Sequence, residues 1–262
     1  MELPIYHIDT FTDKIFAGNP AAVCLVNEWP ADEVMQSIAA ENYLPATSFV
    51  ISKDEKHEVR WFGPSEEEYP LCGHGTLAAA YVLLRWIYPW MDEITFESKS
   101  GPLTVRKQQE AYLLNLPAHP AFPFDMPVGI TDALNGIEPR QFFKNDKFYL
   151  AVLESEKQIR HLKPNLYKLD ELGLHNIVVT APGDRQDFVS RYFRTKGLIN
   201  EDPVTGSAHC MLMPYWARRL NKNRLQAQQI SQRGGNLICE LKQDRVMIKA
   251  NAIAYAQGTI TV

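Results

Sequence analysis

The 262-residue chain carries 27 Lys and Arg against 31 Asp and Glu, a net charge of −4, which gives no reason to expect nucleic acid or an anionic membrane as a partner. With 45% hydrophobic and 22% charged residues it has a globular composition, and it is long enough to bury a core without disulfide or metal staples. Residues 1–6 contain neither a basic region nor a long apolar run, which argues against a secretory signal. The longest apolar stretch, 77–88, is interrupted by Arg85 and is too short to span a bilayer. The four cysteines (Cys24, Cys72, Cys210 and Cys239) have no paired spacing and read as reduced thiols of a cytoplasmic protein.

In chain order, residues 5–11 and 21–26 read as strands, with Gly18-Asn19-Pro20 as a turn between them. Val34, Met35, Ile38 and Ala39 give 31–42 the spacing of an amphipathic helix. Strand character returns at 47–51 and 57–62. Residues 75–88 are apolar nearly all round and predict a buried helix. Short strands follow at 94–97, 103–105 and 111–116. Pro117, Pro120, Pro123 and Pro127 then rule out regular helix or central strand and mark a linker. Beyond it, strands are expected at 148–153, 176–180 and 188–194, a helix at 206–220 that Pro214 should kink or break, and strands at 237–241, 246–248 and 253–262. This is α+β, with one main buried helix in each half. The domains read as 1–116 and 117–262, with the last strand, about 252–262, able to return to the first.

Two segments about half the chain apart look like copies of one device. Val59-Arg60-Trp61-Phe62, a turn, and Leu71-Cys72-Gly73-His74-Gly75-Thr76 lead into one helix. Ser190-Arg191-Tyr192-Phe193, a turn, and Asp202-Pro203-Val204-Thr205-Gly206-Ser207-Ala208-His209 lead into the other. A helix N-terminus offers unpaired N–H groups and favours anions, so two such starts facing one another would suit a carboxylate. Taken singly, the first is equally a strand-to-helix turn with a structural His74, and Asp202 and Ser207 are ordinary helix caps. A metal set of Cys72, His74, His209 and Cys210 fails the common zinc spacings. There is no P-loop and no dinucleotide fingerprint. Arg218, Arg219, Lys222 and Arg224 read as a solvated helix end, Glu66-Glu67-Glu68 as an exposed turn, and Trp86, Tyr88 and Trp90 as core or packing surface.

Over essentially the whole chain these motifs resemble the PhzF-like (phenazine biosynthesis-like) isomerase family, in the diaminopimelate epimerase and proline racemase fold group. The resemblance rests on Asp9-x-Phe11 with Phe16-x-Gly18-Asn19-Pro20, on Arg60-Trp61-Phe62 with Leu71-Cys72-Gly73-His74, and on Arg191-Tyr192-Phe193 with the run from Glu201 to Ala208. It implies two similar domains, each a curved sheet wrapped around a central helix, with an active site in the cleft between them. It also implies a homodimer, and cofactor-free proton transfer on a small carboxylate metabolite. His74 and Asp202 would then assist proton movement, and Ser207, Asn19 and the backbone at Gly73 and Gly206 would hold the substrate.

One departure bears on chemistry. The family usually has Ser-Glu-Thr-Ala-Phe after the first helix, its Glu being the main acid/base, whereas this chain has Pro45-Ala46-Thr47-Ser48-Phe49. Ala46 cannot accept a proton, and loss of a positioned acid/base costs about 10²–10⁴ in rate. Three readings follow: Cys72 acts as base, Asp202 with His74 does the work, or the protein binds a small acid without turnover. Glu41 as a substitute is weaker than its reading as a solvated helix residue. The turn before Leu71 is also longer by one residue, and Gly75 stands where Ala is common.

Overall fold

The computed structural model describes residues 2–53, 56–65 and 68–262. The chain divides into two compact units, Met1–Leu116 with Met247–Val262, and Pro117–Val246.

The first unit runs β1 (Glu2–Thr10), β2 (Asn19–Leu25), α1 (Asp32–Asn42), β3 (Ala46–Lys53), β4 (Lys56–Phe62), β5 (Glu68–Tyr69), α2 (Gly73–Val82), β6 (Glu93–Glu97), β7 (Leu103–Gln108) and β8 (Ala111–Pro117). All ten residues of α2 are buried, and strands β1, β2, β3, β4 and β7 touch it. The all-round apolar sequence permits this, because no helix face requires water. The predicted helix 75–88 begins two residues earlier and changes character at its end. Leu83–Ile87 is a π turn, with the Tyr88 N–H donating to Leu83 O at 2.7 Å. On the other side of the sheet, Met35, Ile38 and Ala39 of α1 pack with Phe49, Phe62 and Cys24. The helix closes on Tyr43 in the left-handed region, φ 51°.

The second unit runs β9 (Phe122–Pro123), α3 (Ile130–Ala133), β10 (Gln141–Lys144), β11 (Tyr149–Val152), α4 (Glu156–His161), α5 (Leu166–Glu171), β12 (Asn176–Pro182), β13 (Phe188–Arg194), β14 (Glu201–Asp202), α6 (Gly206–Leu220), β15 (Arg224–Gln229) and β16 (Gly235–Lys242), and β17 (Arg245–Ala250) begins in it and passes at Met247 to the first unit. Residues from α3, α4, α5 and the strands form one apolar cluster around Leu134, Ile159, Leu169 and Val179. The three short helices and strands β10 and β15 left no clear periodicity in the sequence. The last strand, β18 (Ala252–Thr261), pairs antiparallel with β1 along its length.

The two units share a strand plan. In the first, β2 runs parallel to β3, β3 antiparallel to β4, β4 parallel to β6, and β6 antiparallel to β7. In the second, β11, β12, β13, β15 and β16 repeat that order and those directions.

Several sequence expectations need correction. Pro214 neither breaks nor interrupts α6. It does remove one donor, and the Cys210 carbonyl that an ordinary residue 214 would have bonded instead accepts the N–H of His119 at 3.0 Å. Arg224 belongs to β15 rather than to a helix end, and Lys222 pairs with Asp187 at 3.1 Å. Glu66 and Glu67 lie outside the described residues. Glu68 is not a solvated turn residue, since its side chain is only 8% exposed and holds Arg60 and Lys99, each at 2.5 Å.

Candidate active site

The duplicated segments fold into the same hairpin. In the first, Trp61 pairs with Tyr69 and Phe62 with Glu68. In the second, Tyr192 pairs with Asp202 and Phe193 with Glu201. Each hairpin is locked by an Arg two residues before the Phe. Arg60 reaches Glu68, and Arg191 grips Glu201 with two bonds of 2.7 and 2.9 Å. Each guanidinium also lies over its own Phe, at 5.3 Å from Phe62 and 4.7 Å from Phe193. A planar cation that both forks a carboxylate and stacks on a ring explains why Arg serves here.

From that register the chain reaches each helix in step. Tyr69-Pro70-Leu71-Cys72-Gly73-His74 matches Asp202-Pro203-Val204-Thr205-Gly206-Ser207, residue for residue. Cys72 and Thr205 are the N-caps, with nearly equal backbone angles (φ −136°, ψ 101° and φ −118°, ψ 101°). Neither uses its side chain as a cap. The cap carbonyls are held alike by the residue four positions on. Thr76 donates N–H and Oγ1–H to Cys72 O at 3.0 and 2.6 Å, and His209 donates N–H and Nδ1–H to Thr205 O at 3.3 and 2.8 Å. The first N–H groups of each helix, beginning at Gly73 and Gly206, have no acceptor within the helix and are suited to an anion.

The two starts differ in chemistry. In the first unit, Cys72 Sγ lies 3.4 Å from His74 Nδ1, and both side chains are buried. Burial drives His74 down to about 3, so the ring is neutral at pH 7 and can accept or donate a hydrogen bond to the thiol without taking its proton. In the second unit, Thr205 Oγ1 donates to the Asp202 carboxylate. Gln229, on β15, fixes both residues. Its amide N–H donates to Asp202 O (2.7 Å) and Thr205 Oγ1 (3.2 Å), while its Oε1 accepts the Thr205 N–H at 2.9 Å. Ser207 is half-buried on the first turn of α6. Thr205 and Gln229 were missed in the sequence. Thr205 sits inside the quoted motif, but Gln229 is 24 residues further on and carries no local signal.

Ala46 opens β3, fully buried. Alternation along the strand turns it to the same face as Ser48, whose Oγ donates to Gly75 O at 3.0 Å. Position 46 therefore faces the α2 side of the sheet. Asn19, also buried, opens β2, which runs parallel to β3 with Ala21 opposite Ala46, so positions 19 and 46 share one end of the sheet. The glycine at position 75 has a local cause. A Cβ there would stand 2.6 Å from Trp61 Cδ1 and 2.8 Å from Ser48 Oγ.

No cluster of three or more His, Cys, Asp or Glu arranged to hold a metal ion occurs among the described residues. His209 and Cys210 lie inside α6, and burial pushes the Cys210 thiol up to about 12. None of the described helices is long and apolar enough to cross a membrane.

The model of the phenazine biosynthesis-like proteins matches residues 8–258. The chain belongs to that family. An uncharacterized isomerase of Pseudomonas aeruginosa is 44% identical over 260 residues, 99% of both chains. A PhzF-family crystal structure from Enterococcus faecalis is 41% identical, covers 100% of both chains and superposes with a TM-score of 0.94. A hydroxyproline epimerase from Agrobacterium vitis, 8% identical, spans 99% of this chain and 92% of its own with a TM-score of 0.66. That likeness places the family's α+β architecture in the epimerase fold group. It concerns fold alone.

Proposed function

We propose that the protein is an isomerase that moves a proton within a small carboxylate metabolite, without metal or organic cofactor. In the family reading the two helix starts serve one site. The observation that carries this reading is the matched pair of buried helix starts, each with a proton-handling group beside it: Cys72 with His74, and Asp202 with Thr205. The naming of relatives as isomerases supports it. In this reading the N–H groups at Gly73 and Gly206, with Ser207 and Asn19, hold the carboxylate. The Cys72 thiolate, beside neutral His74, takes a proton from carbon, and Asp202 returns one on the substrate's other side. The family reading also makes the protein a cytoplasmic homodimer.

A second reading is favoured by the methyl group at Ala46: a homologue that grips a small acid without turning it over. Deuterium incorporation from solvent into a panel of amino and hydroxy acids separates the two. Incorporation by the natural protein, lost in Cys72→Ala or Asp202→Asn, is expected of an isomerase. Incorporation that arises only in Ala46→Glu identifies a binder.

A further inference from the structure

The first unit contains a cavity of about 240 Å³ at the far end of α2 from Gly73. Tyr81 near the end of α2, Arg85 in the π turn, Lys107 at the end of β7, Glu110 in the following turn, Tyr112 on β8 and Asp13 after β1 line it. Tyr81 and Tyr112 are 8% and 3% exposed, with ring centroids 5.7 Å apart. Neither hydroxyl has a hydrogen-bond partner within the described residues, and neither Arg85, Lys107, Asp13 nor Glu110 is in an ion pair. Both phenol oxygens stay open to the cavity, and Asp13, Arg85 and Glu110 are exposed, so a molecule entering it meets two hydroxyls together with charges of both signs. Arg85 is placed by the π turn, a local distortion frequent at functional sites. Burial, then the neighbouring Tyr81, pushes the Tyr112 phenol up to about 12; Arg85 opposes the rise and Glu110 adds to it.

We infer that this cavity binds an amino-acid-sized zwitterion, its carboxylate taken by Arg85, Lys107 and the two phenols, its ammonium by Asp13 and Glu110. A simple anion would meet the two carboxylates as like charges, and a cation would meet the guanidinium and the ammonium so. The inference is independent of the proposed isomerase activity.

Ligand-observed NMR and calorimetry with glycine, L-alanine, L-serine, L-proline and L-glutamate test it. At least one of these is expected to bind the natural protein and the Ser207→Ala variant alike. Tyr112→Phe is expected to weaken binding about tenfold, as loss of one hydrogen bond to a charged group requires. Amidating the ligand's carboxylate or acetylating its amine should abolish binding. Arg85→Glu lies at an exposed position and gives a second reading if Tyr112→Phe lowers stability. The inference is overturned if none of the five binds, if binding is indifferent to both Tyr112→Phe and Arg85→Glu, or if Ser207→Ala abolishes it.

Discussion

The main-chain N–H of His119 donates to the carbonyl of Cys210, the acceptor that Pro214 leaves without its helical partner. The proline-rich segment after β8 therefore completes the hydrogen bonding of α6. His119→Pro should destabilise the protein by about 1–3 kcal/mol by stranding a buried carbonyl. His119→Ala, which keeps the N–H, should cost much less. In a Pro214→Ala background the penalty of His119→Pro should shrink, because residue 214 then supplies the donor. Denaturant melts of the four proteins check this. Equal penalties in both backgrounds would show that the linker bond does not matter.

Gly75→Ala should destabilise although Ala is the better helix former by about 1 kcal/mol. Its methyl would enter the space of Trp61 and Ser48, and overpacking of this kind costs about 1–3 kcal/mol. A melting temperature at or above that of the natural protein would contradict the crowding.

Acid should weaken the fold before any carboxylate is protonated. Burial lowers His74 to about 3 and His209 to about 4, and also lowers half-buried His7 and His119. Below the ordinary value near 6.5 the unfolded chain takes up protons that the native rings refuse. Stability is therefore fully present above pH 6.5 and falls as pH drops from there toward 4, by about 1.4 kcal/mol per pH unit for each proton refused. Denaturant titrations between pH 7 and 4.5 should show this slope, and a neutral replacement of His209 should reduce it. A flat profile would mean that these rings are not held neutral.

Cys72 should be the first thiol to react with iodoacetamide near neutral pH. Cys24, Cys210 and Cys239 are fully buried and burial raises each one, to about 12 for the first two. Cys72 is the most accessible of the four and has His74 beside it. Peptide mass spectrometry over a time course reads the order, and labelling of Cys210 before Cys72 would refute it.

Most of the architecture was legible because it rests on local rules. The amphipathic spacing of Met35, Ile38 and Ala39, the apolar run after Gly75 and the doublet of Arg-aromatic-Phe strands each announce one element. The π turn at 83–87 and the short helices α3, α4 and α5 gave no such signal. Runs of four to six residues span too little of a turn to show periodicity, and their stability comes from packing on β10 to β13.

The sequence by itself determined the family, the two helix starts and the absence of a carboxylate at Ala46, since motif identity and spacing are properties of the chain alone. Only the tertiary structure decided that Glu68 is held by Arg60 and Lys99, that Gln229 holds Asp202 and Thr205, that His119 serves α6, and that Tyr81 and Tyr112 line one cavity. Each of these joins residues that the chain separates by anything from 8 to 91 positions. Burial then makes a missed hydrogen bond costly enough for such pairings to matter, a condition that cannot be read from spacing.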